Sequence, residues 1–148
     1  MTMWLYQMSA EGWSPEQYRY YVWEGENTRF DYGKIQSEKK ENDKEIRPKT
    51  GDIIVLFFAP TECDEPGIYG WGVILNFSKK WETINFRVVP PSDFMKLKPI
   101  WNNKEIKQLM NDIRGKVKQK NIFKIDRKYE EKIRRLISYI KKIKKALN

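Results

Sequence analysis

The chain reads as an α+β domain: a small curved sheet or barrel flanked by helices. Three observations lead there. Apolar runs of strand length fill the first two thirds, whereas residues beyond about 100 show helical spacing. The stretch "PGIYGWGVIL" (66–75) interleaves Gly67, Gly70 and Gly72 with Tyr69 and Trp71, and glycine inside a strand marks a bulge, a tight corner or a close approach of another group. A length of 148 residues suits one domain with one core, so residues 1–148 are expected to form a single domain.

Each element has its own signal. "MWLYQM" (3–8) is aromatic-rich and reads as the first strand. "SPEQYRYYV" (14–22) opens a short helix, with Ser14 at the N-cap, Pro15 in the first helical position and Gln17 completing a capping box. Residues 23–50 are polar and charged and read as a surface connection. "GDIIVLFFAP" (51–60) has an unbroken apolar run, expected of a strand buried on both faces. After the turn "TECDEPG", "IYGWGVIL" (68–75) returns as its hairpin partner. "TINFRVVP" (83–90) alternates Ile84, Phe86 and Val88 with Asn85 and Arg87, the pattern of a half-exposed strand. "NKEIKQLMNDIRG" carries Ile106, Leu109, Met110 and Ile113 at helical spacing and stops at Gly115. "NIFKI" (121–125) reads as a short edge strand. A last helix over about 127–147 follows an N-cap at Asp126, with Tyr129, Ile133, Leu136, Ile137, Ile140, Ile143 and Leu147 on one stripe.

Composition bounds the chemistry. The chain has no histidine and one cysteine, Cys63, so it forms no internal disulfide and a reducing, cytoplasmic setting is expected. Without histidine the commonest general base is missing. Glu62, Asp64 and Glu65 crowd Cys63 and would raise its thiol pKa, which disfavours a nucleophile. No nucleophile elbow, phosphate loop or dinucleotide fingerprint is present. The reading is therefore a binding protein rather than an enzyme, with no metal, cofactor or membrane-spanning segment expected. The net charge of +9 is unevenly spread: residues 96–148 hold 18 Lys and Arg against 5 Asp and Glu, while residues 1–95 hold 11 against 15. A basic half is the electrostatic footprint of a polyanion partner; a lysine-rich, solubilising surface is the competing reading.

Four pieces together carry a resemblance: "MWLYQM" before a helix that leads into "VWEGENTRF", then "IRPKTGDIIVLFF", "PGIYGWGVI", and "IRGKVKQKNIFKI" running into the last helix. In order and spacing the chain resembles the EVE domain family, a branch of the PUA-like superfamily related to ASCH and YTH domains. The resemblance covers nearly the whole chain, and its most specific part is the Gly-Asp strand followed by "GIYGWG". It implies a PUA-like fold, a curved, mostly antiparallel sheet or pseudo-barrel with packed helices, and a pocket for one nucleobase, often a modified one, in DNA or RNA. It implies no catalysis. Trp23 matches a pocket Trp after the first helix, Asn27 a polar neighbour, Phe57 an aromatic ending the Gly-Asp strand, and Trp4 the opening Trp. Tyr69 and Gly70 fall in the "GIYG" segment, and Arg29 lies where relatives often carry a basic residue. Residues 30–47 are longer and more charged than the family pattern.

The residue types suit such a reader. Extruding a base costs a few kcal/mol, and stacking on an aromatic side chain returns roughly 1–3 kcal/mol per base. Glycines let backbone amides approach the base edge, and cations supply affinity through phosphates. The expected base pocket comprises Trp23, Tyr69, Gly70, Trp71, Phe57, Trp4 and Asn27, with Trp71 on Tyr69's face because it lies two residues on. For Trp4 and Phe57 the core is the favoured reading over the pocket. Lys116, Lys118 and Lys120, which alternate before "NIFKI", join Arg29 as candidate phosphate contacts. Two other classes stand beside this one. An ASCH-like nucleoside hydrolase would need Glu24, Asp52 or Lys34 in its pocket. A protein-interaction module of a restriction, defence or toxin–antitoxin system would dock through the last helix.

Overall fold

The computed structural model describes residues 2–8, 14–18, 20, 29–32, 47–60, 63, 66–78, 80, 83–89, 104–115 and 122–135. These form β1 (Met3–Met8), α1 (Pro15–Tyr18), β2 (Arg29–Tyr32), β3 (Ile53–Phe58), β4 (Gly67–Ser78), β5 (Thr83–Val89), α2 (Lys104–Arg114) and β6 (Ile122–Lys124). Helical residues 127–135 follow, called α3 here. The strands build one six-stranded sheet in the order β2-β5-β4-β3-β1-β6. Among the described residues β2 and β6 do not pair, so the sheet is open and the fold is α+β.

The expected sheet is mostly antiparallel, and one pair departs from that direction: β1 lies parallel to β3, Met3 opposite Ile53 through Met8 opposite Phe58. The other pairings are antiparallel. A parallel pair needs a crossover of a dozen or more residues, and residues 9–52 supply the length. Within that span β2, "RFDY", pairs with β5 where the sequence reading placed only a polar connection. Its four residues are too few for a period to stand out from their charged surroundings.

Every residue of β1 is buried, as is every residue of β3 except half-buried Ile53. The expectation for "IIVLFF" therefore holds, and both central strands are covered on two faces. The helix signals also hold at their ends. Ser14 N–H donates to Gln17 Oε1 at 3.0 Å and Gln17 N–H donates to Ser14 Oγ at 3.1 Å, a reciprocal capping box. Gly115 ends α2 at φ 38°, its N–H bonded to the Asn111 carbonyl. Asp126 Oδ1 accepts the Lys128 N–H at the start of α3. Beyond residue 135 the expected last helix lies outside the described residues.

One buried carboxylate ties the start of the sheet together. Asp52 is 6% exposed. Its Oδ1 accepts the Thr2 N–H at 3.1 Å, and its Oδ2 accepts the Trp4 indole Nε1–H at 3.0 Å and the Lys49 N–H at 2.9 Å. Gly51, at φ 92°, makes the turn that brings Lys49 back onto Asp52. The same turn reaches β4. Gly51 N–H donates to the Ile74 carbonyl, Ile74 N–H donates to the Asp52 carbonyl, and Thr50 Oγ1 donates to the Leu75 carbonyl, each at 2.8 Å. Leu75 is the residue left over where the β4–β5 register shifts between Ile74 and Asn76.

Removing the carboxylate orphans a fully buried indole N–H and two backbone N–H groups. Asp52→Ala is therefore expected to lower unfolding free energy by roughly 2–5 kcal/mol, and Trp4→Phe, which strips one donor from the carboxylate, by about 1–3 kcal/mol. Urea denaturation of both variants checks this; a loss under about 0.5 kcal/mol for Asp52→Ala, the range of an ordinary surface change, would contradict it.

Candidate functional site

Register sorts the strand residues onto two faces, because neighbours in register share a side and successive residues alternate. On one face lie Leu5, Gln7, Val55, Phe57 and, opposite Val55, Trp71. On the other lie Trp4, Tyr6, Met8, Ile54, Leu56 and Phe58, with Gly72 and Gly70 opposite Ile54 and Leu56. Between Leu56 and Phe57 the register slips: Leu56 pairs with Gly70 and Phe57 with Ile68. Tyr69 is the extra residue of this β-bulge.

The bulge decides where the aromatic rings go. Tyr69 packs against Phe58, ring centroids 4.7 Å apart at 69°, and against Tyr18 of α1 at 5.9 Å and 87°. Tyr18 meets Phe58 at 5.9 Å and 88°. These edge-to-face contacts place Tyr69 on Phe58's side, whereas Trp71 lies on the opposite side with Val55. The expectation that Tyr69 and Trp71 share a face is overturned, since period two does not survive an inserted residue. Burial deprives the Tyr18 hydroxyl of solvation and raises its pKa far above the ordinary phenol value. Tyr69 and Trp71 are both buried.

The remaining candidates divide further. Trp4 has no exposed surface and its indole is held by Asp52, so it belongs to the core and not to a pocket. Phe57 is likewise fully buried. Gly70 is buried in the ladder opposite Leu56. At Gly72 the space a side chain would fill is already taken: a Cβ would stand 2.8 Å from the Arg87 carbonyl oxygen and 3.1 Å from the Phe86 ring. That glycine admits a ring of its own chain. Arg29 sits on edge strand β2 opposite Arg87, with its backbone alone described. Trp23, Asn27, Lys116, Lys118, Lys120, Glu24 and Lys34 lie outside the described residues. Asp52, a candidate for hydrolase chemistry, has its oxygens engaged by three N–H donors and serves the fold. Cys63 is half-buried against the core. Among the described residues no three His, Cys, Asp or Glu side chains gather as metal ligands, and no helix is long and apolar enough to cross a membrane.

The structure adds a cluster that the sequence reading passed over. Arg114, at the end of α2, is 6% exposed. Its Nε–H donates to Gln7 Oε1 at 2.6 Å, and its Cζ stands 5.3 Å from the centroid of the Phe57 ring. Gln7 and Phe57 are register partners on one face of the parallel pair. Among the described residues no carboxylate pairs with Arg114. Desolvation lowers its pKa from the ordinary arginine value, yet a guanidinium remains charged at neutral pH. Two signals were present in the sequence: a glutamine inside the apolar run "MWLYQM", and an arginine four residues after Met110 on the helix's apolar stripe.

No family model matches the chain, and no curated protein matches it significantly. A solved structure of a hypothetical protein from Leishmania major is similar in fold, with a TM-score of 0.51 over 92% of this chain and 94% of that one at 11% identity.

The closed ring cluster makes a direct prediction. Tyr69→Ala opens a void between Tyr18 and Phe58 and is expected to cost about 3–5 kcal/mol, read from thermal or urea unfolding. A cost below about 1 kcal/mol would mean that the ring stands free of the core.

Proposed function

We propose that the chain is a non-catalytic nucleic-acid-binding module, a PUA-like domain of the EVE type that holds one flipped, modified nucleobase. The observation that carries this reading is the unneutralised charge of the C-terminal half. On α3, Arg134 and Arg135 pair with Glu130 and Glu131 at i,i+4. Arg127, Lys128 and Lys132 stand exposed on the same helix with no ion pair among the described residues. Surface cations that no carboxylate neutralises release counterions when they meet phosphates, which makes binding favourable and salt-sensitive.

Base capture rests on the resemblance, which assigns Trp23 as a stacking wall. The bulge at Tyr69 supports it, because bulges are over-represented beside functional sites, where they re-aim a side chain.

The test is a tryptophan-fluorescence titration with short single- and double-stranded oligonucleotides. Each carries one cytosine, 5-methylcytosine, 5-hydroxymethylcytosine, adenine or N6-methyladenine. Quenching by one modified base, lost in Trp23→Ala, is the expected result. About four phosphate contacts would weaken binding to duplex roughly a hundredfold between about 50 and 200 mM salt. Binding that ignores salt would overturn the electrostatic part, and unchanged binding by Trp23→Ala would overturn the pocket.

A further inference from the structure

Arg114 is costly where it stands. A charged side chain is rarely this buried without a paired anion, because withdrawing it from water must be offset. Here, among the described residues, it meets one neutral acceptor, Gln7 Oε1, and one aromatic face, Phe57. A neutral hydrogen bond and a cation–π contact offset part of the desolvation, and the helix C-terminus adds a favourable dipole. Neither answers the outer edge of the guanidinium. Nε is engaged by Gln7, and among the described residues no hydrogen-bond acceptor stands at Nη1 or Nη2.

Immobilisation is the second feature. Gln7 lies on a fully buried strand and Phe57 on its register partner, so the guanidinium is fixed by two paired, buried strands. A fixed fork of N–H donors matches two oxygens of one oxyanion, which a flexible surface lysine does not. The surrounding sequence points to the oxyanion's class. Arg114 belongs to the half with 18 Lys and Arg against 5 Asp and Glu, a field that draws in highly charged anions.

We propose that Arg114, held by Gln7 and Phe57, is an oxyanion-binding anchor that takes two oxygens of one phosphate group through its Nη1 and Nη2 edge. It rests on the nucleic-acid reading only for the source of that phosphate: a strand's phosphodiester in one case, a free nucleotide or inorganic phosphate in the other.

The test compares the full chain with Arg114→Lys, which keeps the charge but loses the fork. Thermal melting is followed with added inorganic phosphate and with a 5′-mononucleotide, and binding to a short single-stranded oligonucleotide is measured in parallel. A ligand that binds only the folded state raises the melting temperature. Protection of the parent by phosphate, its loss in Arg114→Lys, and oligonucleotide affinity reduced about tenfold or more are expected, as for a charged hydrogen-bond pair. Phosphate protection without oligonucleotide binding supports the anchor and overturns the nucleic-acid reading. Equal oligonucleotide binding by the parent and a folded Arg114→Lys overturns the anchor and leaves that reading intact. Should Arg114→Lys not fold, phenylglyoxal labelling of the parent decides: phosphate slowing modification of Arg114 supports the anchor, and modification at an unchanged rate overturns it.

Discussion

The carboxylate of Asp52 joins two stretches that are far apart in sequence: Thr2 and Trp4 at the start of β1, and the turn at Lys49 that leads into β3. Strand β1 has no hairpin to set its register, because its neighbour lies some fifty residues on and runs parallel to it. A parallel pair cannot be registered by a tight turn. The Trp4–Asp52 bond does that work with a side chain, and the Ile53 N–H to Thr2 carbonyl bond begins the ladder beside it. A one-residue slip of β1 would exchange its faces. Trp4 would lose Asp52, and Gln7 would leave the face on which it meets Arg114. The geometry of the Arg114 cluster is therefore downstream of a carboxylate at the opposite end of the strand.

The two bulges of β4 divide the remaining labour. The one at Leu75 offers a carbonyl to Thr50 and locks the Gly51–Asp52 turn to the middle of the sheet. The one at Tyr69 sends that ring to the Tyr18–Phe58 side and leaves Trp71 on the Phe57 side. The glycine-rich segment thus supplies aromatic surface to both faces rather than two walls to one. Gly72 is explained by close packing of Phe86 and the Arg87 carbonyl, which is a role in the core.

Much of this was legible in the residues. The capping box at Ser14 and Gln17, the stop at Gly115, the N-cap at Asp126 and the doubly buried "IIVLFF" follow from local rules, and local chemistry is what a sequence displays most directly. The parallel pairing of β1 was hidden, since a strand's alternation says nothing of its partner's direction. The bulge at Tyr69 was hinted by the glycines, but its consequence, the split of Tyr69 from Trp71, depends on which residue the ladder skips. Asp52 was read as part of a family signature or a candidate catalytic group. Only its three donors reveal a structural one. Gln7 and Arg114 lie over a hundred residues apart, and their odd placement within apolar patterns was the single sequence trace of their meeting.

Charge and fold meet at α2, whose buried side carries Met110 and Ile113 into the core and Arg114 onto Phe57. All of this presupposes that Trp4 is a structural residue fixed by Asp52, not a ring free to stack on a base. Hydrogen exchange of the six indole N–H groups reads this directly, with Trp4 assigned by its loss in Trp4→Phe. The account predicts that the Trp4 indole proton exchanges only through global unfolding, as slowly as the most protected backbone amides of β3. Exchange of that proton at the rate of an exposed indole, with the sheet amides still protected, would contradict it.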